Sequence, residues 1–137
     1  KNHPFDFAAV VRKLAKTFLF FLSIVFLDFS LSKRVDSEQF DEGLSAFNSG
    51  LVKFAIQKWE PLARQGHAEA AFHLGSVYYF GDGVLVSYPV ALKWFRTAAD
   101  HDHAASQFML GLMHAEGEGV DRDLKMTVDW FDKAVGK

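Results

Sequence analysis

The chain has 137 residues, a formal net charge of −2 at pH 7, 50% hydrophobic residues and no cysteine. Without cysteine it has no disulfide, thiolate metal site or cysteine nucleophile, and its scattered Lys and Arg residues do not form the basic stripe that nucleic-acid binding needs. The length allows about one small domain beside a targeting segment.

An apolar run follows basic residues near the N-terminus. Residues 17–31 read TFLFFLSIVFLDFSL, and Arg12, Lys13 and Lys16 precede them. A basic region followed by an apolar run is typical of a membrane-targeting segment. We therefore assign residues 1–33 to a signal peptide or a signal-anchor transmembrane helix, and we expect residues 17–31 to contact the membrane.

Two interpretations of this segment remain open. Ser30 and Ser32 have the small-residue spacing of a cleavage site, which favours a cleaved signal peptide. A helix that begins near Phe5 and reaches Leu31 would instead be long enough to stay in the bilayer as an anchor. In both cases the excess of cations before the apolar run keeps the N-terminus in the cytoplasm and sends the following domain across the membrane.

The second half of the chain repeats itself at a spacing of 36 residues. Residues 68–101 align with residues 104–137, and ten of the 34 pairs are identical. The identical positions are apolar, glycine or alanine, which are the residues that a stacked structural unit needs for packing. In the first copy they are Ala68, Phe72, Leu74, Gly75, Gly81, Gly83, Val84, Trp94, Phe95 and Ala98.

Each copy is predicted to contain two helices. Helix A covers residues 68–80 in the first copy and residues 104–116 in the second, and its internal glycine indicates a close helix contact, because glycine otherwise weakens a helix. A G-x-G-V loop follows helix A and supplies the turn. Ser87 and Asp123 then stand where their oxygens would cap helix B.

The segment before these copies is predicted to form a shorter helix pair, similar to a tetratricopeptide hairpin. Residues 51–67 align with helix B and with the junction that follows it 36 residues later, but the preceding turn has no G-x-G loop. We therefore predict a repeat domain over residues 36–137. Its three units are residues 37–67, 68–103 and 104–137.

The pattern A-x-A-x-F-x-L-G-x-x-Y-x-x-G-x-G-V, followed by W-F-x-x-A-A, resembles the Sel1-like repeats, which are relatives of the tetratricopeptide repeats. This resemblance implies an all-α fold in the form of a short right-handed α-solenoid. In this chain the N-terminal apolar helix precedes the solenoid. It also implies a scaffold or adaptor and not an enzyme, in a family with many secreted or envelope proteins of bacteria. The second copy departs from the pattern at His114, Thr127 and Val135, which affects local packing.

No catalytic, metal or cofactor site is predicted. His67 and His103 stand before helix A, where a polar residue often caps, and His114 replaces a packed tyrosine. No two histidines are spaced i, i+4, and a zinc site would need three or four converging ligands. Because the sequence also lacks a nucleophile elbow, a P-loop and a dinucleotide motif, we expect no cofactor and no small-molecule substrate.

Two surfaces are candidates for a protein partner. In paired-helix solenoids helix A lines the concave side, and its positions outside the packing pattern are predicted to bind the partner. They are His73, Val77, Phe80, Met109, Leu112 and Glu116. Alternatively, Val77 and Met113 complete the interface between helices A and B. On the last helix B an apolar stripe is formed by Met126, Trp130, Ala134 and Val135, and part of it is expected to face the preceding helix. The rest is expected to dock against a partner subunit or a second copy, with Met126 and Val135 as the residues to substitute.

Three functions remain open at this point. The first is an adaptor at the bacterial cell envelope, including an accessory subunit of a membrane complex, whose partner is a membrane or envelope protein. It would sit in the inner membrane with its repeats in the periplasm, or be periplasmic or secreted if the segment is cleaved. The second is a structural subunit bound mainly through its transmembrane helix. The third is an envelope hydrolase, which no motif favours.

Overall fold

The computed structural model describes residues 6–136, and within this range it contains six α-helices and no strand. The helices are α1 (Phe7–Asn48), α2 (Val52–Arg64), α3 (Ala68–Phe80), α4 (Tyr88–Ala99), α5 (Ala104–Glu116) and α6 (Leu124–Ala134). The chain divides into two units, residues 1–37 and residues 38–137. The predicted all-α class is confirmed.

The first unit contains the N-terminal part of α1, whose apolar side chains are exposed. Phe18, Phe26 and Leu27 expose 68%, 70% and 69% of their surface. α1 is long and apolar enough to cross a membrane. A signal sequence near an N-terminus meets the same criterion of length and composition. Phe5, the predicted start of this helix, lies outside the described residues.

The predicted boundary between the apolar segment and the repeats is not a break in secondary structure. The sequence predicts an element that ends near residue 33 and a new one from residue 36, but α1 continues to Asn48. Residues 32–42 contain neither Gly nor Pro, so nothing in this stretch ends the helix.

The second unit is built of three helix pairs. The first helix of each pair, helix A, is α1 from residue 38 onward, α3 or α5, and the second, helix B, is α2, α4 or α6. Helices α3 and α5 have the bounds predicted from the repeat. The turn between helices A and B covers residues 49–51 in the first pair, which lacks the G-x-G-V loop. It covers residues 81–87 in the second pair and 117–123 in the third, which both contain this loop.

Helices α3 and α5 both begin at a histidine cap. Nδ1 of His67 accepts a hydrogen bond from the backbone N–H of Ala70 at 3.2 Å, and Nδ1 of His103 accepts one from Ser106 at the same distance. Each bond satisfies one of the amides that a helix start leaves unpaired. The predicted capping role of the two junction histidines is confirmed.

The predicted caps of helix B differ from each other. Asp123 Oδ1 accepts a hydrogen bond from the backbone N–H of Met126 at 3.0 Å. Ser87 stands at the N-cap position of α4, but its hydroxyl makes no capping hydrogen bond. Pro89 is the second residue of α4 and has no amide hydrogen, so one of the usual capping donors is missing there.

An internal glycine brings helices A and B together in each pair. The rings of Trp59, Phe95 and Phe131 lie against Gly43, Gly75 and Gly111, respectively. A side chain at any of these glycines would overlap the ring. The predicted reason for the two repeat glycines is therefore confirmed, and Gly43 extends it to the first pair.

Two hydrophobic clusters form the core of the second unit. The first joins helices α1 to α4, and the second joins α4 to α6. Val77 lies in the first cluster at 1% exposure, and Met113 lies in the second at 0%. The prediction that Val77 binds a partner is wrong, because this side chain has no exposed surface to offer. Val77 and Met113 instead complete the helix interface.

Candidate protein-interaction surfaces

A stripe of exposed and half-buried residues runs along α3 and α5. On α3 it follows positions 69, 73, 76 and 80, and on α5 it follows the positions 36 residues later, so each set lies on one helix face. The eight residues, which we call the helix A stripe, are Glu69, His73, Ser76, Phe80, Ala105, Met109, Leu112 and Glu116. The stripe contains every helix A residue predicted to bind a partner except Val77.

His73 is a half-buried polar side chain of the stripe on α3. Its ring stacks on Trp59 with a centroid distance of 4.9 Å, and the Phe40 ring lies 5.6 Å away. Burial lowers the pKa of His73 below its ordinary value of 6.5, the carboxylate of Glu69 opposes this shift, and His103 adds to it. At neutral pH the stripe therefore presents an uncharged aromatic ring here.

Glu69 connects the second helix pair to the third. Its Oε2 accepts a hydrogen bond from Nε2 of His103 at 3.1 Å. Because Nδ1 of His103 accepts the amide hydrogen of Ser106, the proton of the neutral ring is assigned to Nε2. The other carboxylate oxygen, Oε1, lies 4.0 Å from Nε2 of His73. This stripe carboxylate is thus hydrogen-bonded to His103 and lies close to His73.

A second polar contact crosses the same junction. The hydroxyl of Tyr79 donates a hydrogen bond to Oε2 of Glu118 at 2.7 Å. Burial, followed by this hydrogen bond and the negative charge of Glu118, raises the pKa of Tyr79 to about 12. The charge of Glu118 also raises the pKa of Tyr88. Tyr79 is therefore a neutral hydrogen-bond donor that holds the G-x-G loop of the third pair.

Among the helices of the second unit, within residues 38–136, Lys and Arg occur only in helix B. Residues 38–48, α3 and α5 contain Asp or Glu but neither Lys nor Arg, whereas α2, α4 and α6 carry seven Lys and Arg residues. The helix A stripe consequently offers apolar and acidic groups without a competing cation of its own.

Helix α6 presents a separate apolar surface. Positions 124, 128, 131 and 135 follow the spacing of one helix face, and Leu124, Val128 and Val135 expose 62%, 56% and 68% of their surface. Phe108 of α5 is 52% exposed and stacks on Phe131 at a centroid distance of 5.2 Å. We call these five residues the α6 face.

Only Val135 of the predicted C-terminal strip lies on the α6 face. Met126 is half-buried against the second core cluster, and Trp130 is only 8% exposed. The prediction that Met126 belongs to the exposed strip is therefore wrong, because Met126 faces the core. Phe108, Leu124 and Val128 were not among the residues predicted to bind a partner. The signal that could have found them is their alignment with the packed residues Phe72, Tyr88 and Leu92, 36 positions earlier.

The described residues contain no group of three or more His, Cys, Asp or Glu side chains that could hold a metal ion. His114 is 4% exposed, and neither ring nitrogen has a hydrogen-bond partner within residues 6–136. It occupies the position of Tyr78 in the preceding copy. This histidine is a packed substitute for an aromatic residue, as the repeat predicts.

Comparison with known proteins identifies the repeat. The Sel1 repeat model matches residues 68–103 and 104–135. A Sel1 repeat protein from Oxalobacter formigenes, of known crystal structure, is 30% identical, and the alignment covers 74% of this chain and 88% of that protein with a TM-score of 0.61. The chain belongs to the Sel1 repeat family.

A second Sel1-type structure is a protective antigen present in uropathogenic Escherichia coli strains, which displays an SLR fold. It is 29% identical with a TM-score of 0.69, and the alignment covers 77% of this chain but only 24% of the antigen. No curated protein matches the sequence. Membership in the Sel1 family confirms the predicted α-solenoid, and Sel1 repeat proteins are generally non-catalytic scaffolds for protein interaction.

Proposed function

We propose that this Sel1 repeat chain is a non-enzymatic adaptor of the bacterial cell envelope that binds a protein partner along the helix A stripe. The observation that carries the proposal is that apolar groups with exposed surface lie on the same face of two successive A helices, although not at equivalent positions of the repeat. Phe80 is 63% exposed, and Met109 and Leu112 are half-buried on the neighbouring helix. Exposed apolar side chains along a helix face suit an extended or helical segment of a partner.

Crosslinking from single positions tests this surface. A photoreactive phenylalanine analogue replaces Phe80 on α3 or Leu112 on α5, and a third variant carries it at Arg96, an exposed residue of helix B. We expect the two stripe positions to crosslink to the same protein and the Arg96 position not to do so. Equal crosslinking from all three positions would show that helix A has no special role.

A matched pair of substitutions then measures the contribution of the stripe to binding. Phe80→Asp places a charge on the stripe, and Leu85→Asp places one in a loop at a residue that is 90% exposed. We expect Phe80→Asp to weaken binding of the crosslinked partner at least about tenfold, because a charge would enter a desolvated contact, and Leu85→Asp to leave it unchanged.

The apolar part of α1 is proposed to hold the protein at the inner membrane with its repeats in the periplasm. The support is the exposed apolar surface of α1 together with the basic residues that precede residues 17–31. We expect the protein to stay in the membrane fraction after an alkaline wash, with its repeats open to protease from outside. A mature soluble protein that starts at Lys33 would instead show a cleaved signal peptide.

A second candidate function is a structural subunit bound mainly through its transmembrane helix. The observation that favours it is that all described residues from Asp6 to Val35 are exposed, so this part of α1 offers its apolar side chains to a partner. Replacing residues 17–31 by an unrelated apolar span separates the two functions. Partner binding survives this exchange if the repeats bind the partner, and it is lost if the helix does.

A further inference from the structure

The acidic side chains of the A helices fall into two groups. Glu42 forms a salt bridge with Lys58 of α2, and Glu69 accepts a hydrogen bond from His103. The other three make no salt bridge and no side-chain hydrogen bond within residues 6–136. They are Glu38, Asp41 and Glu116. All three are exposed, so another molecule can reach their carboxylates.

Two of these carboxylates lie on the face that carries the helix A stripe. Glu116 is the last residue of the stripe on α5. The first helix A aligns with α3 at a spacing of 32 residues, because Gly43 takes the place of Gly75 against a ring of helix B. Asp41 therefore continues the same face onto the first helix A. Carboxylates of the first and third A helices thus accompany the exposed Phe80 ring of the second.

The C-terminal ends of two A helices add negative charge beside Phe80. Phe80 is the last residue of α3, and Glu116 is the last residue of α5. A helix C-terminus carries a partial negative charge of about half an elementary charge. Neither helix has Lys or Arg in its last turn to offset this charge. Asp82, which is exposed two residues after Phe80, contributes a further carboxylate.

The positive charges of the repeats leave these carboxylates unpaired. The cation nearest to Glu116 along the chain is Arg122, in the loop after α5. Its Cβ lies 3.6 Å from the position that a Cβ on Gly117 would take, but its guanidinium forms no salt bridge with Glu116 within residues 6–136. Burial lowers the pKa of His73, so this stripe residue adds no positive charge at neutral pH.

From this distribution of charge we infer that the partner segment bound by the helix A stripe is basic and apolar. Its apolar side chains cover Phe80, Met109 and Leu112, and its Lys or Arg side chains pair with the carboxylates that surround them. Those carboxylates are Asp41, Asp82 and Glu116. The inference rests on the proposed binding at the stripe and adds the chemistry of the segment that binds there.

Lysine and arginine suit this surface in two ways. Their aliphatic stems can cover the exposed Phe80 ring while the charged group lies over the ring or reaches a carboxylate. Opposite charge also speeds association and disfavours partners of the wrong sign. An acidic peptide, a nucleic acid or an anionic lipid surface would meet these carboxylates without a cation of the stripe to offset them. The occupant is therefore a basic protein segment.

The test uses peptides as probes, so it does not require the natural partner. Random peptides displayed on phage are selected on the full chain in detergent, and those that lose binding to Phe80→Ala are retained. This step restricts the set to peptides that depend on the helix A stripe. We expect the retained peptides to be rich in Lys or Arg beside apolar residues and to contain few Asp or Glu residues.

Two substitutions at one position then separate the charge of the surface from its apolar contact. Phe80→Asp and Phe80→Lys both remove the ring and place a charge in the same contact. Both should weaken the binding of a retained peptide. Phe80→Lys should weaken it at least about threefold more than Phe80→Asp, because only the lysine repels a basic segment.

Removal of single carboxylate charges gives an independent measurement. Asp41→Asn and Glu116→Gln should each weaken a retained peptide about two- to fivefold at low salt, which is the effect of losing one exposed ion pair. The loss should shrink as the salt concentration rises. Asp129→Asn is the matched control, since Asp129 is an exposed acid of helix B that makes no salt bridge within residues 6–136.

The possible failures of this inference and of the proposed function are distinct. Retained peptides without an excess of Lys and Arg would overturn the inference alone. Equal effects of Phe80→Asp and Phe80→Lys would do the same, and so would carboxylate variants that bind as well as Asp129→Asn. If no selected peptide loses binding to Phe80→Ala, the helix A stripe is not a binding surface, and the inference is wrong together with the proposed function.

Discussion

The ring of Phe95 lies so close to Gly75 that a Cβ at residue 75 would come within 2.6 Å of its Cδ1 atom. The same relationship joins Phe131 to Gly111, where the corresponding distance is 2.5 Å. The two rings differ in their freedom to move, since Phe95 is fully buried and Phe131 is half-buried.

This difference predicts unequal effects of the same substitution. Gly75→Ala should lower the free energy of unfolding by about 1–3 kcal/mol, because the buried Phe95 ring cannot move aside, and this loss exceeds the helix propensity that alanine adds. Gly111→Ala should lower the free energy of unfolding clearly less, because the half-buried Phe131 ring can turn outward. Urea unfolding of both variants measures the difference. Equal losses, or a stabilised Gly75→Ala, would show that the close approach does not limit packing.

The hydrogen bond from Tyr79 to Glu118 should stabilise the junction between the second and third pairs. Tyr79→Phe should lower the free energy of unfolding by about 1 kcal/mol, because it removes the hydroxyl donor and leaves the ring. Tyr78→Phe is the control, since the structure shows no hydrogen bond from that hydroxyl within residues 6–136. A Tyr78→Phe loss as large as that of Tyr79→Phe would contradict this account.

The pKa of Tyr79 adds a dependence on alkaline pH. Folding raises this pKa from 10.0 to about 12, so the unfolded chain loses the phenol proton at lower pH than the folded one. Stability should therefore fall as the pH rises from 10.0 towards about 12. Ultraviolet titration of tyrosinate should show a late-titrating group that disappears in Tyr79→Phe. Identical titration curves for the two proteins would exclude this assignment.

His73 should make the fold sensitive to mild acid. Its pKa is lowered from 6.5 in the folded chain, so the unfolded chain binds the proton first as the pH falls. The stability that the neutral ring contributes is present above pH 6.5 and is lost as the pH falls below that value. His73→Gln should reduce the loss of stability between pH ~7.5 and ~5, whereas the same change at the exposed His101 should not. The idea fails if both variants keep the pH dependence of the parent.

Substitution of His114 should be able to increase the stability of the fold. Its two ring nitrogens are buried without a hydrogen-bond partner among the described residues, and such a group costs about 1–3 kcal/mol. The equivalent position in the preceding pair holds the larger ring of Tyr78. We therefore expect His114→Phe to raise the free energy of unfolding by about 1 kcal/mol. Calorimetry would decide, and a destabilised variant would mean that the pocket does not accept the larger ring.

Much of the repeat could be predicted from the sequence, because the sequence features that indicate it are local or periodic. The spacing of 36 residues predicted the bounds of α3 and α5, and the internal glycines predicted the close approach of helices A and B. The junction position of His67 and His103 predicted their capping role. Each of these features depends on backbone chemistry within a few residues or on a match between equivalent positions.

The tertiary structure decided which neighbour covers each apolar side chain. Val77 and Phe80 both lay outside the repeat pattern, yet Val77 is in the core and Phe80 is exposed, because Val77 faces the helices that pack against α3 and Phe80 does not. Met126 and Val128 are two residues apart on α6, and only Met126 faces the core. Helical periodicity groups residues into faces, but which face is buried depends on helices distant in sequence. For that reason the sequence by itself determined the repeat, its histidine caps and its glycines, and only the packing of the helix pairs decided which surfaces are left for a partner.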